Sequence, residues 1–170
     1  MQYAIRRART SDVRGIRALI DANVASGRLL DKATVTLYED IQEFWVACDE
    51  SGALIGCGAL HVMWEDLAEI RTIAVDEAHQ GLGAGHEIVT VLLATARQLG
   101  VRRVFVLTFA VSFFQRHGFE VIKGEAATPE VYAELLRSYD EGVAEFLDLD
   151  RVKPNTLGNT RMLLRLPPEA

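Results

Sequence analysis

The chain has 170 residues, 49% of them apolar and 25% charged, with 18 basic and 24 acidic side chains for a formal net charge of −6. That length and mix suit one globular domain spanning residues 1–170, with enough apolar sequence for a real core. The acidic balance, without basic runs, excludes non-specific nucleic-acid binding, although backbone N–H groups remain able to hold an anionic ligand locally.

In chain order, Tyr3–Ala8 reads as a strand. Thr10, Ser11 and Asp12 offer caps for a helix with Val13, Ile16, Leu19, Ile20 and Val24 at helical spacing, stopped by Gly27. A second short helix is expected over Thr34–Gln42. Phe44–Cys48 and Leu54–Val62 form a strand pair around the turn Asp49-Glu-Ser-Gly52. Next come a strand over Ala68–Val75 and an amphipathic helix from Ala84 to Leu99, closed by Gly100. Val104–Phe109 is a continuous apolar run, suited to a strand covered on both faces. A short helix, Val111–Arg116, leads to a strand at Phe119–Ile122. Thr128–Phe146 reads as helical and acid-rich, Val152–Gly158 as a loop, and Arg161–Leu166 as the last strand.

Cys48 and Cys57 fall inside apolar runs, the pattern of two buried thiols in a reducing cytoplasm. The four histidines are scattered without HExxH or CxxC spacing, so no metal site is expected. No segment approaches membrane-spanning length, and the start of the chain lacks the apolar core of a signal peptide.

The chemistry concentrates between Glu69 and His86. A strand, a polar connection and a glycine turn opening a helix aim several N–H groups and a helix dipole at one spot, which suits a phosphate. A P-loop is excluded, because five places after Gly81 stands His86 rather than Gly-Lys. The dinucleotide pattern fails as well, with His86 where its third glycine belongs. The pattern present is Gln80-x-x-Gly83-x-Gly85.

Here the chain resembles the GCN5-related N-acetyltransferase (GNAT) superfamily, whose acyl-CoA signature is Q/R-x-x-G-x-G/A. Phe113-Phe-Gln-Arg-His-Gly-Phe119 is similar to its aromatic-x-x-x-Gly-Phe segment. The resemblance covers roughly Tyr3 to Ile122 and the last strand. It implies an α/β fold with a mixed, mostly antiparallel central sheet, splayed between the strands holding Glu69–Val75 and Val104–Phe109 and flanked by helices. It also implies acetyl-CoA as cofactor. Gln80, Gly81, Leu82, Gly83, Ala84, Gly85 and His86 would hold the pyrophosphate, and Ile73, Ala74 and Val75 the pantetheine. Phe109, Phe113, Phe114 and Arg116 would stand near its thiol end. Glu69 would be the base that takes a proton from the amine, and the Ile73 N–H the oxyanion donor. Many relatives have a tyrosine acid where this chain has Phe114, and a phenyl ring donates no proton, so no acid is assigned.

Within the superfamily the chain is similar to the short amino-acid acetyltransferases of bacterial arginine biosynthesis, the N-acetylglutamate synthases. Leu29-Leu-Asp-Lys32, Gly56-Cys-Gly-Ala-Leu-His61, the Glu69–Val75 strand and the tail Val152–Leu164 carry that likeness. It implies transfer of acetyl to the α-amine of glutamate or glutamine. Lys32, His61, Arg71, Asn159 and Thr160 are then the substrate-binding candidates, with Lys153 and Arg161 as further cations for carboxylates. The rival readings are another amine acceptor and a non-catalytic acyl-CoA-binding domain. The acidic stretch near Thr128–Leu149 either covers the substrate pocket or meets a second copy in a homodimer; both readings stay open.

Overall fold

A computed structural model describes residues 2–24, 29, 31–149 and 158–168. Gly27, Leu30, Lys153 and the loop 152–157 lie outside the described residues. The strands are β1 (Tyr3–Arg7), β2 (Phe44–Asp49), β3 (Leu54–Trp64), β4 (Leu67–Val75), β5 (Arg103–Thr108), β6 (Glu120–Val121) and β7 (Thr160–Arg165). The helices are α1 (Val13–Val24), α2 (Thr34–Glu39), α3 (Ala84–Gln98), α4 (Val111–Gln115), α5 (Pro129–Leu135) and α6 (Glu141–Phe146). The strands form one mixed seven-stranded sheet in the order β1-β2-β3-β4-β5-β7-β6. β1–β2, β2–β3, β5–β7 and β6–β7 pair antiparallel, and β4–β5 pair parallel. This is the expected α/β GNAT architecture.

The chain divides into two compact units, Met1–Leu60 with Thr72–Thr95, and His61–Arg71 with Ala96–Ala170. In the first, the predicted stripe Val13, Ile16, Leu19 and Ile20 of α1 is buried against Leu37, Phe44, Val46, Cys57 and Ala74. Helical spacing thus delivers one apolar face to the alternate residues of the strands. Both cysteines are free and buried, as read from their apolar runs. Gly58 admits α3 to the sheet: a Cβ there would lie 2.4 Å from Ile73 Cδ1 and 2.7 Å from Ile88 Cγ2.

In the second unit, Met63, Leu67, Phe105, Val131, Leu135, Val143, Phe146 and Leu163 share a core. Arg103 ties it together, gripping Asp66 at 2.9 and 3.1 Å and donating to the Ala126 carbonyl.

Several boundaries differ from the sequence reading. The second helix ends at Glu39, and a 3-10 turn takes Ile41–Glu43. β3 runs on to Trp64 and returns through Glu65-Asp66, a hairpin the sequence did not announce because neither residue is a glycine or proline. The expected helix over Thr128–Phe146 is two, each with its own cap: Thr128 accepts from Val131 N–H, and Asp140 from Val143 N–H. The last strand begins one residue earlier, at Thr160. Among the described residues, no helix is long and apolar enough to cross a membrane.

Candidate active site

β4 carries both predicted catalytic residues, Glu69 and Ile73. Its parallel ladder with β5 includes the pairs Leu67↔Arg103, Ala68↔Val104 and Glu69↔Phe105. Three residues beyond Glu69, Thr72 sits at φ +58°. A β-branched residue rarely adopts left-handed backbone, so this is local strain held by its surroundings. The Cys57 thiol donates to the Thr72 carbonyl at 3.5 Å. Complete burial pushes that thiol up to about 12. Thr72 immediately precedes Ile73, the predicted oxyanion donor.

Glu69 is buried, 4% exposed, although a carboxylate rarely is unless paired. Its partner is Arg71, two residues on and therefore on the same strand face. Arg71 Nε and Nη2 lie 3.1 and 2.9 Å from Glu69 Oε2. Its Nη1 lies 2.7 Å from Asp140 Oδ1. The same Oδ1 accepts from Val143 N–H at 2.9 Å, so one carboxylate both caps α6 and holds the arginine. Gly142 leaves room for this, since a Cβ there would lie 2.5 Å from Arg71 Cζ. Nearby in the same unit, the Arg161 guanidinium stacks on Phe105 and Phe146 at 4.9 and 5.6 Å and donates to the Phe146 carbonyl at 2.9 Å. Burial lowers its pKa, opposed by the charges of Asp148, Glu125 and Glu69.

The glycine turn follows β4. Gly81 and Gly83 adopt φ +80° and +90°, which an L side chain resists. The α3 ladder starts with Glu87 N–H donating to the Gly83 carbonyl at 3.1 Å, so the preceding N–H groups belong to a helix start. Among the described residues other than its chain neighbours, none has an atom within 4 Å of a Cβ built on Gly81, which leaves open space beside the turn. Tyr3 supports it from β1: its one hydroxyl proton faces two acceptors, Glu87 Oε1 at 2.9 Å and the Leu82 carbonyl at 3.3 Å. Burial, then hydrogen bonding and repulsion from Glu87, raise the Tyr3 pKa.

Along the aromatic segment, Phe109 and Arg116 are exposed and Phe113 half-buried. Phe114 is 3% exposed, edge-on to Phe113 at 5.0 Å and to Phe119 at 5.4 Å. It is a packing residue of this aromatic cluster. Among the substrate candidates, Lys32 is half-buried in the first unit, where its carbonyl accepts from Arg17. His61, Arg71, Asn159 and Thr160 belong to the second unit. Thr160 pairs with Thr108 in the β5–β7 ladder, and the Asn159 Oδ1 is buried without a hydrogen-bond partner among the described residues. Tyr3, Thr72 and Asp140 were not foreseen; Asp140 followed by an apolar Val143 was the one visible hint, as a helix cap.

The model of the Acetyltransferase (GNAT) family matches residues 16–119. The chain belongs to that family. This GNAT acetyltransferase is 61% identical over 164 residues to an amino-acid acetyltransferase of Mycobacterium tuberculosis, covering 95% of this chain and 94% of that one. The crystal structure of Rv2747 from the same organism, in complex with CoA and NLQ, superposes with a TM-score of 0.93 at 60% identity, covering 96% and 99% of the two chains. An amino-acid acetyltransferase of Aeromonas salmonicida is 30% identical over 122 residues, 71% of this chain and 27% of that longer protein. N-acetylglutamate synthase from Neisseria gonorrhoeae, complexed with coenzyme A and N-acetyl-glutamate, shares the fold with a TM-score of 0.77 at 24% identity, covering 99% of this chain and 36% of that one.

Proposed function

We propose that this GNAT acetyltransferase acetylates the α-amine of a free amino acid, glutamate or glutamine, as the first step of arginine biosynthesis. Near full-length similarity at 61% identity to an amino-acid acetyltransferase is the observation that carries the reading. Support for acetyl-CoA comes from the turn itself: left-handed Gly81 and Gly83, a helix start, and open space beside Gly81. When bound, acetyl-CoA supplies the acetyl group as a thioester activated toward amines.

In this reading Gln80–His86 hold the pyrophosphate through backbone N–H groups, and the edge of Ile73–Val75 pairs with the pantetheine amides. Phe109, Phe113 and Arg116 line the cofactor's course, while Phe114 shapes it from the core. Ile73 N–H, turned by left-handed Thr72, receives developing negative charge on the acetyl oxygen. Glu69 accepts the proton that the amine must lose, directly or through water. Lys32, His61, Asn159 and Thr160 read the amino acid. Arg71, the cation on β4, already faces two carboxylates, Glu69 and Asp140. The reading places the enzyme in the cytoplasm, with a second copy of the chain as its protein partner.

A thiol-release assay with acetyl-CoA and the common amino acids tests this. Glutamate or glutamine stimulates release above the rest of the panel. No stimulation by any free amino acid refutes it. Glu69→Gln lowers kcat by about 10²–10⁴-fold with CoA binding intact.

A further inference from the structure

Resting on the reading of Glu69 as base, we infer that Arg71, held by Asp140, is the positioning residue that sets the orientation and protonation of Glu69, not a reader of the substrate's carboxylate. Three buried or nearly buried charges stand in series. The exposures of the Glu69, Arg71 and Asp140 side chains are 5%, 6% and 17%. Arg71 reaches Glu69 with two nitrogens and Asp140 with a third, so its fork is shared between two carboxylates. A substrate carboxylate taking Arg71 would have to displace one of them in a space where Gly142 already sits against Cζ.

The charges around Glu69 give the arrangement a sign. Arg71 approaches from β4, Asp140 from the start of α6, and Arg161 from β7 with Glu125 and Asp148 near it. From β5 the paired residue is Phe105, uncharged. Arg71 and Arg161 favour the ionised carboxylate; Asp140 opposes it and draws Arg71 partly away. Removing Arg71 therefore raises the pH at which Glu69 becomes an effective base. Removing the charge of Asp140 lowers it, since a like charge goes and Arg71 turns wholly to Glu69. Opposite shifts from two neighbours are not what a general loss of packing produces.

The experiment is the pH profile of kcat and of kcat/KM for the amino acid, with saturating acetyl-CoA, in wild type, Arg71→Gln, Arg71→Lys and Asp140→Asn. Asparagine keeps the α6 cap while losing the charge. The substrate's own ammonium titrates alike in all four, so differences belong to the enzyme. Arg71→Gln moves the acid limb up by about 1–2 units with the amino-acid KM changed less than about threefold. Arg71→Lys restores most of the limb, and Asp140→Asn moves it down by about half a unit or more. A tenfold or greater rise in KM with an unmoved limb in Arg71→Gln overturns the inference in favour of a substrate reader. Should Arg71→Gln be insoluble, Asp140→Asn decides alone: an unmoved or raised limb overturns it. Full turnover in Glu69→Gln refutes the base assignment itself; loss there with unmoved limbs in the other variants refutes only the role of Arg71.

Discussion

Gly142→Ala sets two effects of opposite sign against each other. Gly142 is the second residue of α6, and an alanine there favours the helix by about 0.5–1 kcal/mol. The new methyl group would stand 2.5 Å from Arg71 Cζ and 2.7 Å from both Nη atoms, about an ångström inside ordinary contact. Arginine tips usually swing aside cheaply, but this one is 6% exposed and pinned by Glu69 and Asp140 at 2.9 and 2.7 Å. Overpacking at such a site costs about 1–3 kcal/mol, and separating the buried pair costs about 3–5 kcal/mol. The expected net loss is about 2 kcal/mol, equivalent to a Tm lower by about 4–8 °C in a domain of this size. Calorimetric melting at neutral pH measures it. A Tm equal to or above wild type would refute the reasoning, because it would mean the guanidinium leaves its carboxylates without penalty.

Gly83→Ala forces φ +90° on a residue with a Cβ and brings that carbon to 3.3 Å from the Tyr3 hydroxyl. The strain costs about 1–2 kcal/mol, and the KM for acetyl-CoA rises about tenfold while the amino-acid KM stays near wild type; an unchanged acetyl-CoA KM refutes the cradle. For Cys57, whose ordinary pKa of 9.0 is pushed to about 12 by burial, the folded state holds the proton more tightly than the unfolded chain. Stability from this group is complete below pH 9 and falls by about 1.4 kcal/mol per unit as pH rises toward 12. Urea unfolding at pH 8.5 and 10.5 detects it as a steeper loss in wild type than in Cys57→Ala; parallel losses would remove the effect.

Where one residue pattern decided one local structure, the sequence was legible. The α1 stripe, the apolar β5 run and the glycine turn with its α3 helix each appear where periodicity and punctuation put them. The acidic stretch misled because its helix-forming residues continue through Arg137–Tyr139, while a break there depends on Asp140 meeting a guanidinium 69 positions earlier. Thr72 was invisible for a similar reason: nothing about a threonine in a strand announces left-handed backbone, which tertiary packing imposes. Among the candidate residues, Glu69 was singled out by its place ahead of the turn, whereas its burial beside Arg71 depends on folding and could not be read. Tyr3 looked like an ordinary strand residue until its hydroxyl proved to reach the glycine loop.

The two separate apolar cores bear on how such an enzyme diversifies. The glycine turn with its tyrosine support belongs to the unit built on one of them, and Glu69 with Arg71 and Asp140 to the unit built on the other. In the proposed reading, the α5–α6 region beside Glu69 is open to remodelling toward a new amine while the glycine turn, built from other residues, is kept.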